Sequence, residues 1–132
     1  MSTILVTYCT GQKNETDLPI PAVQLYNSDR IDAVAMAAKN LNLSFIILSG
    51  KFGLINSQDR IDYYDHRLTE NEVEEHAKLI ESQIKLNRIT SILYFVNSSK
   101  IDPLNKAYIS CLKLAATTTK IALTITEFDI FD

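Results

Sequence analysis

The hydrophobic residues of this chain form short apolar runs that alternate with helical stripes. Residues 3–9, 43–48 and 90–96 are near-continuous apolar runs, and residues 119–125 form a fourth run. Near-continuous runs of this length are typical of strands in a parallel sheet that is covered on both faces. The pattern therefore predicts four strands, and the first three are the most apolar.

The segments between these strands have the spacing of amphipathic helices. Ser28 is a suitable N-cap, and it precedes an apolar face made of Ile31, Val34, Ala35, Ala38 and Leu41. Residues 69–72 are a capping box that opens a helix to about residue 87, with an inward face of Val73, Ala77, Ile80 and Ile84. Asp102 and Pro103 begin a third helix, ending near residue 116, whose buried side is Leu104, Tyr108, Cys111, Leu112 and Ala115.

This order, β-α-β-α-β-α-β, predicts an α/β fold. We expect a single three-layer domain covering residues 1–132, with a mainly parallel sheet of about four strands flanked by helices, of the Rossmann-like or flavodoxin-like class. The polar segment from residue 49 to 68 is long for a compact domain. Such segments are usually functional or contain a short element of their own.

Composition narrows the class of protein. The chain is 46% hydrophobic and 22% charged, as in ordinary globular proteins. The net charge of −3 argues against a protein devoted to binding nucleic acid, which usually has a basic excess. The two cysteines, Cys9 and Cys111, do not make a disulfide framework. With no signal-peptide pattern and no apolar stretch of membrane-spanning length, we expect a cytoplasmic protein without membrane contact.

All three glycines fall in two loops that follow apolar strands. Gly11 follows the first strand, and Gly50 and Gly53 follow the second. Glycine permits positive φ and lets a backbone approach a ligand or another backbone closely. Because ligands of open α/β sheets bind beyond the carboxyl ends of the strands, the two loops together predict one ligand site. The alternative is that each glycine only makes a tight turn.

Residues 49–54 are the strongest candidate for ligand contact. Their spacing is neither that of a P-loop nor that of a dinucleotide fingerprint, but amides in a glycine-bearing turn can form an anion-binding nest. Lys51 adds a positive charge suited to phosphate or carboxylate, and Ser49 offers a hydroxyl at the end of the strand. The alternative for Lys51 is a solvated loop lysine.

The loop after the first strand contains Cys9 and Lys13. Cys9 would be a nucleophile if Lys13 or Lys51 stabilised its thiolate. The alternative, more common for a cysteine at the end of a strand, is a small buried hydrophobic residue.

The segment from residue 59 to 66 is rich in aspartate and tyrosine. Asp65 is a candidate general acid or base, and the ring of Tyr64 is suited to stacking on a planar base. The alternative is an acidic solvated loop whose tyrosines cover the core. We predict no metal site, because the histidines lack metal-ligand spacing, and we expect His76 to lie on the surface.

Several of these residues occur in an order that resembles a known family. Cys9 and Lys13, then Leu25–Tyr26, then residues 47–54 and finally Tyr64–Asp65 are similar to an uncharacterised YaaA-like domain family of bacteria, archaea and phages. That family typically reads C-x-x-x-K, L-Y, I-L-S-A-K-Y-G-L and P-Y-D. The resemblance implies a shared pocket and a role in nucleotide, nucleobase or nucleic-acid metabolism, often in phages or mobile elements.

We therefore predict a domain that binds a small anionic nucleotide-like ligand without a cofactor. The candidate catalytic residues are Asp65 and Cys9. The candidate ligand contacts are Thr10, Gly11, Lys13, Tyr26, Ser49, Gly50, Lys51, Phe52, Gly53 and Tyr64.

Three functions are compatible with these residues. The first is a nucleotide- or nucleobase-processing enzyme of N-glycosidase or transferase type. The second is a non-catalytic phage-type protein that sequesters a nucleotide signal. The third is a nucleic-acid-binding accessory protein, which the net charge disfavours. The acidic tail and the tyrosine-rich loop are compatible with a homodimer.

Overall fold

The four predicted strands and three predicted helices follow one another in the predicted order, and, among the described residues, three shorter strands and one shorter helix lie between them. The computed structural model describes residues 2–11, 13–97 and 105–128. Its strands are β1 (Ser2–Tyr8), β2 (Ile20–Pro21), β3 (Ser44–Ser49), β4 (Gly53–Asn56), β5 (Arg60–Ile61), β6 (Ile89–Asn97) and β7 (Ala122–Phe128). Its helices are α1 (Ala22–Leu25), α2 (Asp29–Leu41), α3 (Val73–Leu86) and α4 (Lys106–Thr119), and one turn of 3-10 helix (Glu70–Glu72) precedes α3.

The central sheet has five strands in the order β4-β3-β1-β6-β7. Neighbouring strands are parallel except for β4, which is antiparallel to β3. Helix α2 packs on β1 and β3, whereas α3 and α4 pack against each other and against other strands. The predicted α/β fold with a mainly parallel sheet flanked by helices is confirmed. Because β1 lies between β3 and β6, the carboxyl ends of these three strands meet at one edge.

The long segment after β3 contains two short strands that the hydrophobic pattern did not predict. Strand β4 forms a hairpin with β3 that begins at the pair Ser49 and Gly53. Strand β5 pairs with β2 in a separate two-stranded antiparallel sheet. These strands are four and two residues long, too short for a period-2 alternation to be recognised.

The core lies on both faces of β1. Every residue from Ile4 to Tyr8 is at most 5% exposed, which explains the continuous apolar run. Helix α2 buries most of its predicted face, but Leu41 is 57% exposed, so its predicted burial is wrong. At 3.6 residues per turn, Leu41 lies about 80° from Ile31 around the helix. The left-handed cap residue Asn42 ends the helix immediately afterwards.

The predicted boundary between the last helix and the last strand is wrong by three residues. Helix α4 continues to Thr119 and β7 begins at Ala122. Lys120 adopts a left-handed conformation, with φ of 59°, and the amide of Ile121 bonds back to the carbonyl of Ala116. This is a Schellman-type end without the glycine that usually marks it. The predicted start at residues 102–104 lies outside the described residues.

Candidate functional site

Ser49 ends β3 and organises the turn that leads into β4. Its Oγ accepts hydrogen bonds from the amides of Lys51 (3.1 Å) and Phe52 (3.0 Å), and it donates to the hydroxyl of Tyr64 (2.8 Å). A hydroxyl has one proton and two lone pairs, so these three bonds use it fully. The amides of Lys51 and Phe52, which were expected to belong to an anion-binding nest, therefore donate to Ser49 itself.

Both glycines of this turn have structural reasons to be glycine. A Cβ on Gly50 would lie 2.9 Å from the backbone nitrogen of Leu68 and 2.9 Å from the hydroxyl of Tyr108. Gly53 has the positive φ expected from the sequence, 71°, and a Cβ there would meet Oε1 of Gln83. At Gly50, the absence of a Cβ makes room for the backbone of Leu68. This is one of the two uses of glycine considered from the sequence, the other being close approach to a ligand.

Two side chains of α3 hold this turn. Nε2 of His76 lies 2.7 Å from the carbonyl oxygen of Ser49. The side-chain amide of Gln83 donates through Nε2 to the carbonyls of Phe52 (3.0 Å) and Leu54 (3.2 Å), and its Oε1 accepts from the backbone amide of Leu54 (2.8 Å). Residues 76 and 83 are seven apart, so they lie on one face of the helix. The expectation that His76 lies on the surface is wrong, because the residue is buried.

An open cavity of about 480 Å³ lies beside the turn. Its volume is within the range of small-molecule sites, roughly 300 to 1,000 Å³. The residues that line it are Gly50, Lys51, Tyr64, Asp65, His66, Glu72 and His76. One cavity therefore collects a lysine, two histidines and two carboxylates from three separate segments of the chain.

His66 and Glu72 are hydrogen-bonded to each other within this lining. Nε2 of His66 lies 2.9 Å from Oε2 of Glu72. The other carboxylate oxygen accepts from the amide and the hydroxyl of Thr69, at 3.0 Å each, which completes the predicted capping box. The amide and the hydroxyl of Thr69 lower the pKa of Glu72 below its usual value, and His66 lowers it further. Glu72 is thus a fixed, ionised acceptor for His66.

Tyr26 and Tyr64 pack edge to face behind the cavity, and their hydroxyls are hydrogen-bonded to each other. The ammonium of Lys13 lies 4.7 Å from the centre of the Tyr64 ring and 5.9 Å from that of Tyr26. Burial raises the pKa of both tyrosines well above their usual value, and ionised Cys9 would raise it further. The rings are 3% and 5% exposed, so they are packed in the protein rather than available for stacking on a base.

The other predicted contacts lie around this group. Phe52 packs edge to face on Tyr64, at 5.2 Å between ring centres. Cys9 is buried and its Sγ lies 3.5 Å from the hydroxyl of Tyr108, which also accepts from the amide of Leu68. This environment is that of the small buried cysteine that the sequence left as an alternative, and Cys9 does not line the 480 Å³ cavity.

The loop after β1 is held by Arg30 of α2, whose side chain is fully buried. The guanidinium donates to the hydroxyl of Thr7 (2.7 Å) and to the carbonyl of Tyr8 (2.6 Å). Thr10 is half-buried and Gly11 is exposed. Thr10, Gly11, Lys13 and Tyr26 do not line the cavity, although Lys13 and Tyr26 adjoin it through Tyr64.

Sequence reasoning did not assign Glu72, His76 or Gln83 to the site. All three lie on or just before the predicted second helix, at intervals of four and seven residues. This spacing places them on one helical face, and that face is not purely apolar. The sequence signal for these residues is that they are polar and lie on the inward side of an amphipathic helix. A single sequence does not reveal which loop such a face contacts.

Among the described residues, no group of three or more His, Cys, Asp and Glu could hold a metal ion. No helix in the described ranges is both long and apolar enough to cross a membrane.

The fold and the site define a small α/β protein with a polar cavity at the carboxyl edge of its sheet. The chain belongs to DUF6884, a family of unknown function, which matches residues 4–124. Neither the curated proteins nor the solved structures contain a significant match to it.

Proposed function

We propose that this protein binds a small anionic nucleotide-like ligand in the 480 Å³ cavity and processes it by N-glycosidase or transferase chemistry. The observation that carries the proposal is that Lys51 and Asp65 line the same cavity. A cation suits the phosphate of a nucleotide, and a carboxylate suits its sugar hydroxyls or an attacking water. The resemblance to YaaA-like domains supports the same class of ligand.

Lys51 is the proposed contact for the anionic group. The turn that carries it is held by Ser49, Gly53 and Gln83, so the fold does not depend on the long side chain of Lys51. The residue is exposed, and its ammonium lies 5.2 Å from the ring centre of Phe52. A lysine ammonium is a mobile point charge with three donors. The Lys51 ammonium therefore takes the anion-binding role first expected of the backbone amides, because the amides of Lys51 and Phe52 already donate to Ser49.

Asp65 is the proposed acid or base. It follows Tyr64, which is fixed by Ser49 and Tyr26, so the backbone of Asp65 is anchored while its side chain stays exposed. The carboxylate takes a proton from water or from a ligand hydroxyl as that oxygen attacks the ligand. A positioned acid or base typically accelerates a reaction by about 10² to 10⁴.

Replacing Asp65 tests this function. Wild-type protein is incubated with a panel of nucleoside monophosphates, and release of the free base is followed by chromatography alongside calorimetric binding. Asp65→Asn should lower turnover by about 10² to 10⁴ and leave binding nearly unchanged. Asp62→Asn is the matched control, because Asp62 is exposed in the same segment but does not line the cavity.

The same experiment distinguishes the sequestering alternative. A protein that only sequesters a nucleotide would bind members of the panel, release no base, and retain its ligand in Asp65→Asn. Failure of every nucleotide to bind would contradict the proposal. Nucleic-acid binding, a homodimer and a cytoplasmic location stay predictions from the sequence.

A further inference from the structure

We propose that His66, oriented by Glu72, is the general acid that works opposite Asp65 in this cavity. The inference rests on the proposed function, because it assigns a second residue to the same reaction. It is carried by the hydrogen bonds of His66 and Glu72 and by their position in the lining of one cavity.

Glu72 is itself held in place by hydrogen bonds. Its Oε1 accepts two bonds from Thr69 at the start of the 3-10 helix. The backbone there continues directly into α3, so the carboxylate is attached to a rigid element. Only Oε2 is left to face His66, and it lies 2.9 Å from Nε2. A side chain fixed in this way orients its partner more precisely than a solvated carboxylate does.

The hydrogen bond to Glu72 determines the tautomer of His66. An ionised carboxylate only accepts hydrogen bonds, so the nitrogen that faces Glu72 carries a hydrogen. In neutral His66 that hydrogen is on Nε2, and Nδ1 is the atom left to exchange a proton with a ligand. An acid or base oriented through its second nitrogen by a third group is a recurring catalytic arrangement.

The charged groups around the cavity suit this role. Lys51 comes from the β3–β4 turn, Asp65 from the same segment as His66, and Glu72 and His76 from the 3-10 helix and α3. Nε2 of His76 is already bonded to the carbonyl of Ser49. Of the two histidines, only His66 is exposed, so a ligand can reach it without disturbing the turn.

With a nucleotide as the ligand, Asp65 accepts one proton and His66 donates one. The Asp65 carboxylate takes a proton from water, and the water oxygen forms a bond to the sugar carbon of the glycosidic bond. That carbon–nitrogen bond breaks, and its electron pair goes to the base nitrogen, which takes the Nδ1 proton of the His66 imidazolium. The products are free base and sugar phosphate, and exchange with solvent restores protonated His66 and ionised Asp65.

The test combines turnover with the tautomer of His66 in the unliganded protein. The tautomer is measured from ¹⁵N chemical shifts of the two ring nitrogens at a pH where the ring is neutral. We expect the Nε2–H form in wild-type protein and in Glu75→Gln, a control in α3 whose carboxylate is paired with Lys78. Glu72→Gln keeps an acceptor for Thr69 but replaces the charge, and we expect mixed tautomers.

For turnover, His66→Ala should lower kcat for base release by about 10² to 10⁴, with KM nearly unchanged and partial rescue by added imidazole. Glu72→Gln should lower kcat by a smaller factor, and Glu75→Gln should not change it. Wild-type kcat in His66→Ala, or an unchanged tautomer in Glu72→Gln, would overturn the inference. Asp65→Asn would then still test the proposed function independently. Absence of turnover in the wild-type protein would overturn both.

Discussion

The hydroxyl of Ser49 donates to the phenolic oxygen of Tyr64 at 2.8 Å, and this bond joins two of the three segments that line the cavity. Ser49 ends β3, whereas Tyr64 lies in the extended segment that supplies Asp65 and His66. The same hydroxyl caps the turn that carries Lys51. One small side chain thus sets the positions of the proposed cation and of the proposed acid and base.

Ser49→Ala should destabilise the protein by about 1 to 3 kcal/mol, because it removes the acceptor of the amides of Lys51 and Phe52 and one of the two partners of the Tyr64 hydroxyl. The measurement is urea unfolding at neutral pH. Ser82→Ala is the control, since Ser82 is an exposed helical serine and surface substitutions usually fall within about 0.5 kcal/mol. Equal stability of the two variants would show that the bonds of Ser49 contribute nothing.

Gly53→Ala should lower stability by about 1 kcal/mol or more, because alanine is strained at positive φ and its Cβ would meet Oε1 of Gln83. Thermal unfolding measures the loss. Gly11→Ala is the matched control, since Gly11 is exposed and the nearest atom to its added Cβ is a guanidinium nitrogen at 3.6 Å. A neutral Gly53→Ala would mean that the turn tolerates an ordinary conformation.

Glu72 makes the stability of the protein depend on pH. Its pKa is lowered in the folded state from the ordinary 4.5, so its charge stabilises the fold above that pH, and the contribution is lost as the pH falls through the folded value. The difference in Tm between wild type and Glu72→Gln should therefore be positive at neutral pH and shrink toward zero in acid. Because the side chain of Glu72 is 39% exposed, added salt should also reduce this difference in Tm. A difference that is constant with pH would contradict this account.

The central architecture could be predicted from the sequence because the inner strands are near-continuous apolar runs. Strand β1 is buried on both faces, whereas β6 is buried on one face and partly buried on the other, and both lie inside the sheet. The hairpin strand β4 could not be predicted in this way, since four residues carry no distinct period. The end of α4 was misplaced because Lys120 takes the left-handed cap position that usually signals itself by glycine.

The candidate site was predicted in part, and its limits have a physical origin. The turn after β3 supplies Lys51, and the segment after β5 supplies Tyr64 and Asp65, so three residues grouped from the sequence line one cavity, whereas Cys9, Thr10, Gly11 and Lys13 at the end of β1 do not line it. The hydrogen bonds among the residues of the site could not be predicted from the sequence. Whether Ser49 offers its hydroxyl to a ligand or to the turn depends on distances of a few ångströms between segments far apart in sequence. For the same reason, the contact between His76 and Ser49 had no sequence signal.

The most direct test of the account is the affinity of Lys51→Ala for nucleoside monophosphates, measured by calorimetry together with Tm of the unliganded protein. A hydrogen bond to a charged group is worth about 1.5 to 3 kcal/mol, so the variant should bind roughly tenfold to a hundredfold more weakly. Its Tm should be nearly unchanged, because Lys51 is exposed on a turn that other residues hold. Lys113→Ala, which removes an exposed lysine of α4, should alter neither quantity. Lowered Tm with unchanged affinity would show that Lys51 supports the fold, and it would contradict the placement of the ligand in this cavity.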